Sequence, residues 1–124
     1  MSEFYFTKEH EWVKVDGNSA VCGISEHAAH ELGDVTFVEL PAVGKQVKQE
    51  EVLAAIESVK AASDIDAPVS GKVVKVNTEL EDAPEKVNES AEEAAWMVEL
   101  ELADAGELTA LMTREQYDEY LKSL

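Results

Sequence analysis

The chain is 124 residues long and carries 27 acidic against 10 basic residues, a formal net charge of -17 at pH 7. That length suits one domain, residues 1–124, able to bury a modest core without metal or disulfide support, while the charge argues against nucleic acid or an anionic membrane as partner, since both need a basic face. Cys22 is the single cysteine, so there is no intramolecular disulfide and no thiolate pair for a metal.

The opening Met1-Ser2-Glu3-Phe4-Tyr5-Phe6 lacks a basic segment followed by a long apolar stretch, and no run approaches the ~20 residues of a membrane helix. The expectation is a monomeric protein of a reducing compartment, cytoplasmic, or of the mitochondrial matrix if a transit peptide has been removed.

Glu11-Trp12-Val13-Lys14-Val15 and Ser19-Ala20-Val21-Cys22-Gly23-Ile24 read as strands joined by a tight turn at Asp16-Gly17-Asn18. Ser25 then stands where a helix N-cap belongs, Ala28, Ala29 and Leu32 follow at helical spacing, and Gly33 suits the position after the last turn. Residues 35–76 are mostly β in pattern: Val35-Thr36-Phe37-Val38-Glu39-Leu40, Val52-Leu53-Ala54-Ala55-Ile56, Ile65-Asp66-Ala67-Pro68-Val69 and Gly71-Lys72-Val73-Val74-Lys75-Val76.

Within that region Val43-Gly44-Lys45-Gln46-Val47 and Val69-Ser70-Gly71-Lys72-Val73 both place a Gly-Lys turn before a strand, one on each side of residue 60. This short similarity fits two half-sheets packed face to face. The acidic stretch 79–93 reads as a loop with a helical turn at most, anchored by Leu80 and Val87. Trp96-Met97-Val98-Glu99-Leu100-Glu101-Leu102 alternates like a strand. After Asp104 the pattern turns helical, with Leu108, Leu111 and Met112 on one face and a Thr113/Gln116 capping box before a last helix carrying Tyr117, Tyr120, Leu121 and Leu124. The predicted fold is α+β, mainly β: a flattened sandwich of two half-sheets with a short N-terminal helix and one or two C-terminal helices.

The chemistry-bearing candidate is Lys60, in Glu57-Ser58-Val59-Lys60-Ala61-Ala62-Ser63-Asp64 at the break between two strand-like runs. A hairpin apex holds a primary amine out on a rigid support, where a modifying enzyme and later partners can surround it. On spacing alone an ordinary solvated turn lysine fits as well. Nothing else forms a converging nucleophile, base and orienting group. His27 and His30 read as part of a surface helix, Cys22 as a small buried residue, and Trp12 and Trp96 as core.

The flanking residues narrow the choice. Biotin carriers place Met on both sides of their lysine, whereas Val59 and Ala61 stand here, and many lipoyl domains of 2-oxoacid dehydrogenase complexes have Asp-Lys-Ala. The string Glu57-Ser58-Val59-Lys60-Ala61 with Ser63-Asp64 resembles the H-protein family of the glycine cleavage system. So do Lys8-Glu9-His10-Glu11-Trp12-Val13, Gly23-Ile24-Ser25-Glu26-His27-Ala28, Leu32-Gly33-Asp34, Phe37-Val38-Glu39-Leu40-Pro41 and Ala67-Pro68-Val69-Ser70-Gly71, in order along nearly the whole chain.

The resemblance implies a sandwich of the lipoyl/biotinyl-carrier kind and a carrier, not an enzyme, with lipoate amide-linked to Lys60. It implies that the arm takes the aminomethyl group of glycine from glycine decarboxylase to the aminomethyltransferase and is reoxidised by dihydrolipoamide dehydrogenase. Glu57, Asp64 and Gly44 are then expected to serve the lipoylating enzyme. Glu9, Glu11, His27 and Asp64 are expected to line a cleft shielding the loaded arm. Two other assignments use the same residues: an H-like donor in lipoate relay, and an unmodified interaction domain. The chain departs from the family pattern at Glu50, where a turn glycine is common, and at Ala91-Glu92-Glu93-Ala94-Ala95, expected to be more helical and more acidic than the usual loop.

Overall fold

Alternating apolar residues in the first third of the chain produce consecutive antiparallel strands. In the computed structural model, which describes residues 3–124, β1 (Glu3–Phe6) pairs with β2 (Glu11–Asp16), and β2 continues through the predicted turn into β3 (Ser19–Ile24). Helix α1 (Glu26–Leu32) follows, capped as expected: the Ser25 side chain accepts from the Ala28 N–H. Next come β4 (Val35–Glu39), β5 (Gln46–Val47), β6 (Val52–Ser58), β7 (Ala62–Asp66) and β8 (Gly71–Val76). Two single-turn helices, α2 (Glu79–Asp82) and α3 (Lys86–Glu89), precede β9 (Val98–Leu102), a 3-10 helix (Ala105–Ala110), β10 (Met112–Thr113) and α4 (Arg114–Lys122).

Among the described residues the strands form two sheets, one ordered β10-β1-β2-β3-β9-β8-β5 and the other β4-β6-β7. The fold is thus the predicted mainly-β sandwich with short helices. The two Gly-Lys segments prove to be neighbours: β5 pairs antiparallel with β8 through Gln46↔Lys72 and Val47↔Gly71. Gly44 makes the turn before β5 at φ +98, a conformation open to glycine at little cost, and its N–H donates to the Val73 carbonyl.

Inward residues of both sheets meet in one cluster that includes Val13, Ile24, Val38, Ile56, Val73, Leu80, Met97 and Leu100, all nearly inaccessible to solvent. Each such side chain contributes roughly 1.5–3 kcal/mol relative to exposure. A second cluster, Phe6, Trp12 and Tyr117, joins β1 and β2 to α4, with the Phe6 and Tyr117 rings stacked at 4.4 Å.

Several expectations need correction. Leu108, Leu111 and Met112 do not share an α-helix: the spacing of three between the leucines is met by a 3-10 turn, and Met112 pairs with Phe6 across the free edge of β1. The strand expected from Trp96 starts at Val98, and Trp96 is only half buried, in a turn with the Lys75 ammonium over its ring. The run through Val69 stops pairing at Asp66, since Ala67 turns to bond Glu51 and Pro68 has no N–H to offer. The acidic stretch forms two helical turns instead of a loop with one. Pro84 separates them: α2 ends at Asp82, with Ala83 as its cap, and the Pro84 carbonyl accepts from the Val87 N–H in the turn of α3. Leu80 and Val87 are its buried anchors, as predicted. Residues 91–95 are successive turns, not helix.

Candidate functional site

The lysine hairpin is tighter than the sequence pattern implies, because β6 runs on to Ser58 and β7 begins at Ala62, leaving Val59, Lys60 and Ala61 as the tip. Ser58 closes it. The Ser58 N–H donates to the Ala61 carbonyl at 2.8 Å, and the hydroxyl oxygen accepts from the N–H groups of Lys60 (3.2 Å) and Ala61 (3.1 Å). One side chain therefore satisfies both donors that the reversal would leave open.

Beneath the tip lies the end of α1. The Val59 N–H donates to the Asp34 carbonyl at 3.0 Å, tying the hairpin to the α1–β4 loop. Gly33 has φ +77, a conformation that favours glycine, and a Cβ placed on it would sit 3.1 Å from Lys60 Cε and 3.6 Å from Nζ, so the lysine stem passes close over this residue. Lys60 is exposed, and among the described residues no ion pair engages its amine. Asn88, from α3, also reaches this loop: its Nδ2 donates to the Gly33 carbonyl at 2.6 Å and its Oδ1 accepts from the Val35 N–H at 2.8 Å. No local pattern in the chain links residue 88 to residues 33–35, so sequence reasoning missed it.

Glu57 and Asp64 lie on the exposed face of the three-stranded sheet. Glu57 is opposite Phe37 and Ala62, and Asp64 is opposite Ala55. With Phe37, Glu39, Ala55 and Ala62 they border a shallow depression of about 350 Å³. Gly44 stands apart, in the turn before β5.

The four residues expected to form a cleft are only partly assembled. Glu9 and Glu11 share a cavity of about 370 Å³ with Phe6, Gln49, Asp66 and Leu111. His27 is off its wall, with its ring 4.6 Å from that of His10, and Asp64 is on the sheet face just described, two residues before the Asp66 that does line the cavity. Glu11 is 3% exposed; it accepts from the Thr7 hydroxyl at 2.9 Å and the Asp66 N–H at 3.0 Å. Burial pushes its carboxyl up to about 7, against the lowering effect of those bonds.

Beside the cavity, the Tyr117 hydroxyl bridges His10 Nδ1 (2.8 Å) and Ser25 Oγ (2.7 Å), joining α4 to the start of α1. Burial and the neighbouring His27 hold His10 below its usual pKa. Cys22 is buried, and its thiol is pushed up by desolvation. Among the described residues no group of three or more His, Cys, Asp or Glu could hold a metal, and no helix is long and apolar enough to cross a membrane. What the geometry offers chemically is an accessible amine on a braced turn.

Residues 4–124 match the family model described as glycine cleavage H-protein. The glycine cleavage system H proteins of Staphylococcus saprophyticus subsp. saprophyticus and Staphylococcus epidermidis are 53% and 50% identical to this chain over 120 residues, covering 97% of it and 95% of each of them. A solved structure, the glycine cleavage system H protein of Mycobacterium marinum, superposes with a TM-score of 0.88 at 31% identity and 97% coverage of both chains.

Proposed function

The chain belongs to the glycine cleavage H-protein family, and from that premise we propose that Lys60 is the residue to which its lipoyl group is attached. The protein is a carrier of the glycine cleavage system, not an enzyme, and its family holds lipoate on a lysine. The lipoyl group supplies the dithiol chemistry that takes up and releases the aminomethyl group. The chain's own residues supply the amine and its support.

The observation that carries the assignment is an exposed Lys60, with no ion pair to its amine among the described residues, on a turn closed by Ser58 and floored by Gly33. Acylation there removes one positive charge and disturbs no ion pair among the described residues. Glycine decarboxylase, the aminomethyltransferase and dihydrolipoamide dehydrogenase are the partners that meet the arm in turn. The lipoylating enzyme meets the bare lysine, with Glu57 and Asp64 on the adjoining sheet face available to it. We read the protein as a monomer when it does so. Of the expected cleft, Glu9 and Glu11 have the geometric support of a shared cavity.

The test is the intact mass after incubation with lipoate, ATP and a lipoate ligase. One lipoyl amide should be gained by the wild type and none by Lys60→Arg; equal labelling of both, or none with the protein folded, removes the assignment. Label passing from Lys60 to a second lipoyl domain would instead favour a donor in lipoate relay.

A further inference from the structure

Asn88 belongs neither to the lysine hairpin nor to the helix beneath it, yet it makes the two hydrogen bonds that fix the loop between them. Its planar amide spans Asp34, giving a proton to the carbonyl of Gly33 and taking one from the N–H of Val35. Those bonds leave Asp34 between two held peptide units, and the Asp34 carbonyl is the acceptor for the N–H of Val59, the residue before Lys60. Ser58 determines the internal shape of the turn; the Val59–Asp34 bond ties the tip to the body.

The geometry points to Asn88 as a positioning residue for modification of Lys60: its amide locks the 33–35 loop, and the locked loop aims the lysine. This rests on the reading of Lys60 as the lipoyl attachment residue. Asparagine is suited because the site needs a donor and an acceptor on one short planar group. An aspartate would turn an oxygen toward the Gly33 carbonyl, with nothing to donate. The lock also bears on the lysine stem directly, since Gly33 is both the residue clamped by Asn88 and the floor under Lys60 Cε. An acyl-transfer enzyme needs its amine within a narrow range of positions, and a displacement of about 1 Å costs on the order of 100-fold in rate.

The test pairs hydrogen exchange with ligation kinetics on the full chain, comparing the wild type with Asn88→Ala and Asn88→Asp. In Asn88→Ala the Val59 amide should exchange about tenfold faster or more, while the core amides of Val73 and Leu100 keep their protection. With a lipoate ligase, lipoate and ATP, its kcat should fall about tenfold with KM nearly unchanged, because the faces bearing Glu57 and Asp64 are untouched. Asn88→Asp, which keeps the acceptor for Val35, should shift both readings the same way. If Asn88→Ala does not fold, this variant decides.

Val59 protection that stays at the wild-type level, or that falls only in step with Val73 and Leu100, overturns the proposal, as does a wild-type kcat in the variants. A wild type that takes no lipoyl group overturns the attachment reading instead, and Val59 exchange then still tells whether Asn88 holds the tip.

Discussion

Glu11 and His10 adjoin in the chain and answer pH in opposite directions. Glu11 has its carboxyl raised from 4.5 to about 7, so between those values the folded protein holds a proton that the unfolded chain releases, and stability falls as pH rises through that window. His10 is shifted below 6.5, so its contribution is present above 6.5 and is lost as pH falls beneath it. Thermal melts from pH 5 to 8 should show Glu11→Gln losing less stability than the wild type as pH rises, the two diverging by on the order of 2 kcal/mol toward pH 8. Parallel profiles would mean that the carboxyl is already ionised at pH 5.

At this same scale the chain reveals some residues and hides others. Ser25 and Gly44 are recognisable because a helix cap and a tight turn favour particular residues, and Lys60 because the strings around it resemble one family. Glu11 is not, since its burial depends on the approach of β7 and Asp66. Glu50 stands between: its departure from glycine is visible in sequence, and at φ +75 it does adopt the left-handed conformation that glycine would take without strain.

Among the elements, α4 shows how a short helix is held. Its nine residues start at a complete capping box, in which the Thr113 side chain accepts from the Gln116 N–H and the Gln116 side chain accepts from the Thr113 N–H. A helix this short is marginal alone, and its docking comes from the Tyr117 ring on Phe6 and the Tyr117 hydroxyl between His10 and Ser25. Tyr117→Phe keeps the ring and deletes the bridge, taking the partner from His10 Nδ1 and leaving Ser25 Oγ with the Ala28 N–H alone. Denaturant melts should register a loss of about 1–3 kcal/mol, and a change below ~0.5 kcal/mol would show that water replaces the hydroxyl. The capping box and the β2–β3 hairpin could be read directly, being local. β10 could not: it is two residues long and is a strand only through the edge of β1, a pairing more than a hundred positions apart in the chain.

Over the whole molecule, 27 acids against 10 basic residues make the surface strongly negative. Such a field raises the encounter rate with a positively charged face and is screened by salt over a Debye length of ~10 Å at 0.1 M. For the lipoylation reaction, kcat/KM should fall about tenfold between roughly 0.05 and 0.5 M salt with kcat held, because encounter and not chemistry is affected. A salt-independent kcat/KM would assign the acids to solubility alone. The sandwich itself was readable because strand alternation and the Gly-Lys repeat survive in one dimension; the partition of the strands into sheets of seven and three was not, since it depends on which edges meet. The burial of Cys22 in β3 has a consequence for a carrier of this kind. Disulfide exchange needs an accessible thiolate, and the single cysteine is inaccessible and held in the thiol form. An arm that cycles between dithiol and disulfide can therefore swing across its own protein without being captured by it, so every sulfur partner it meets belongs to another molecule.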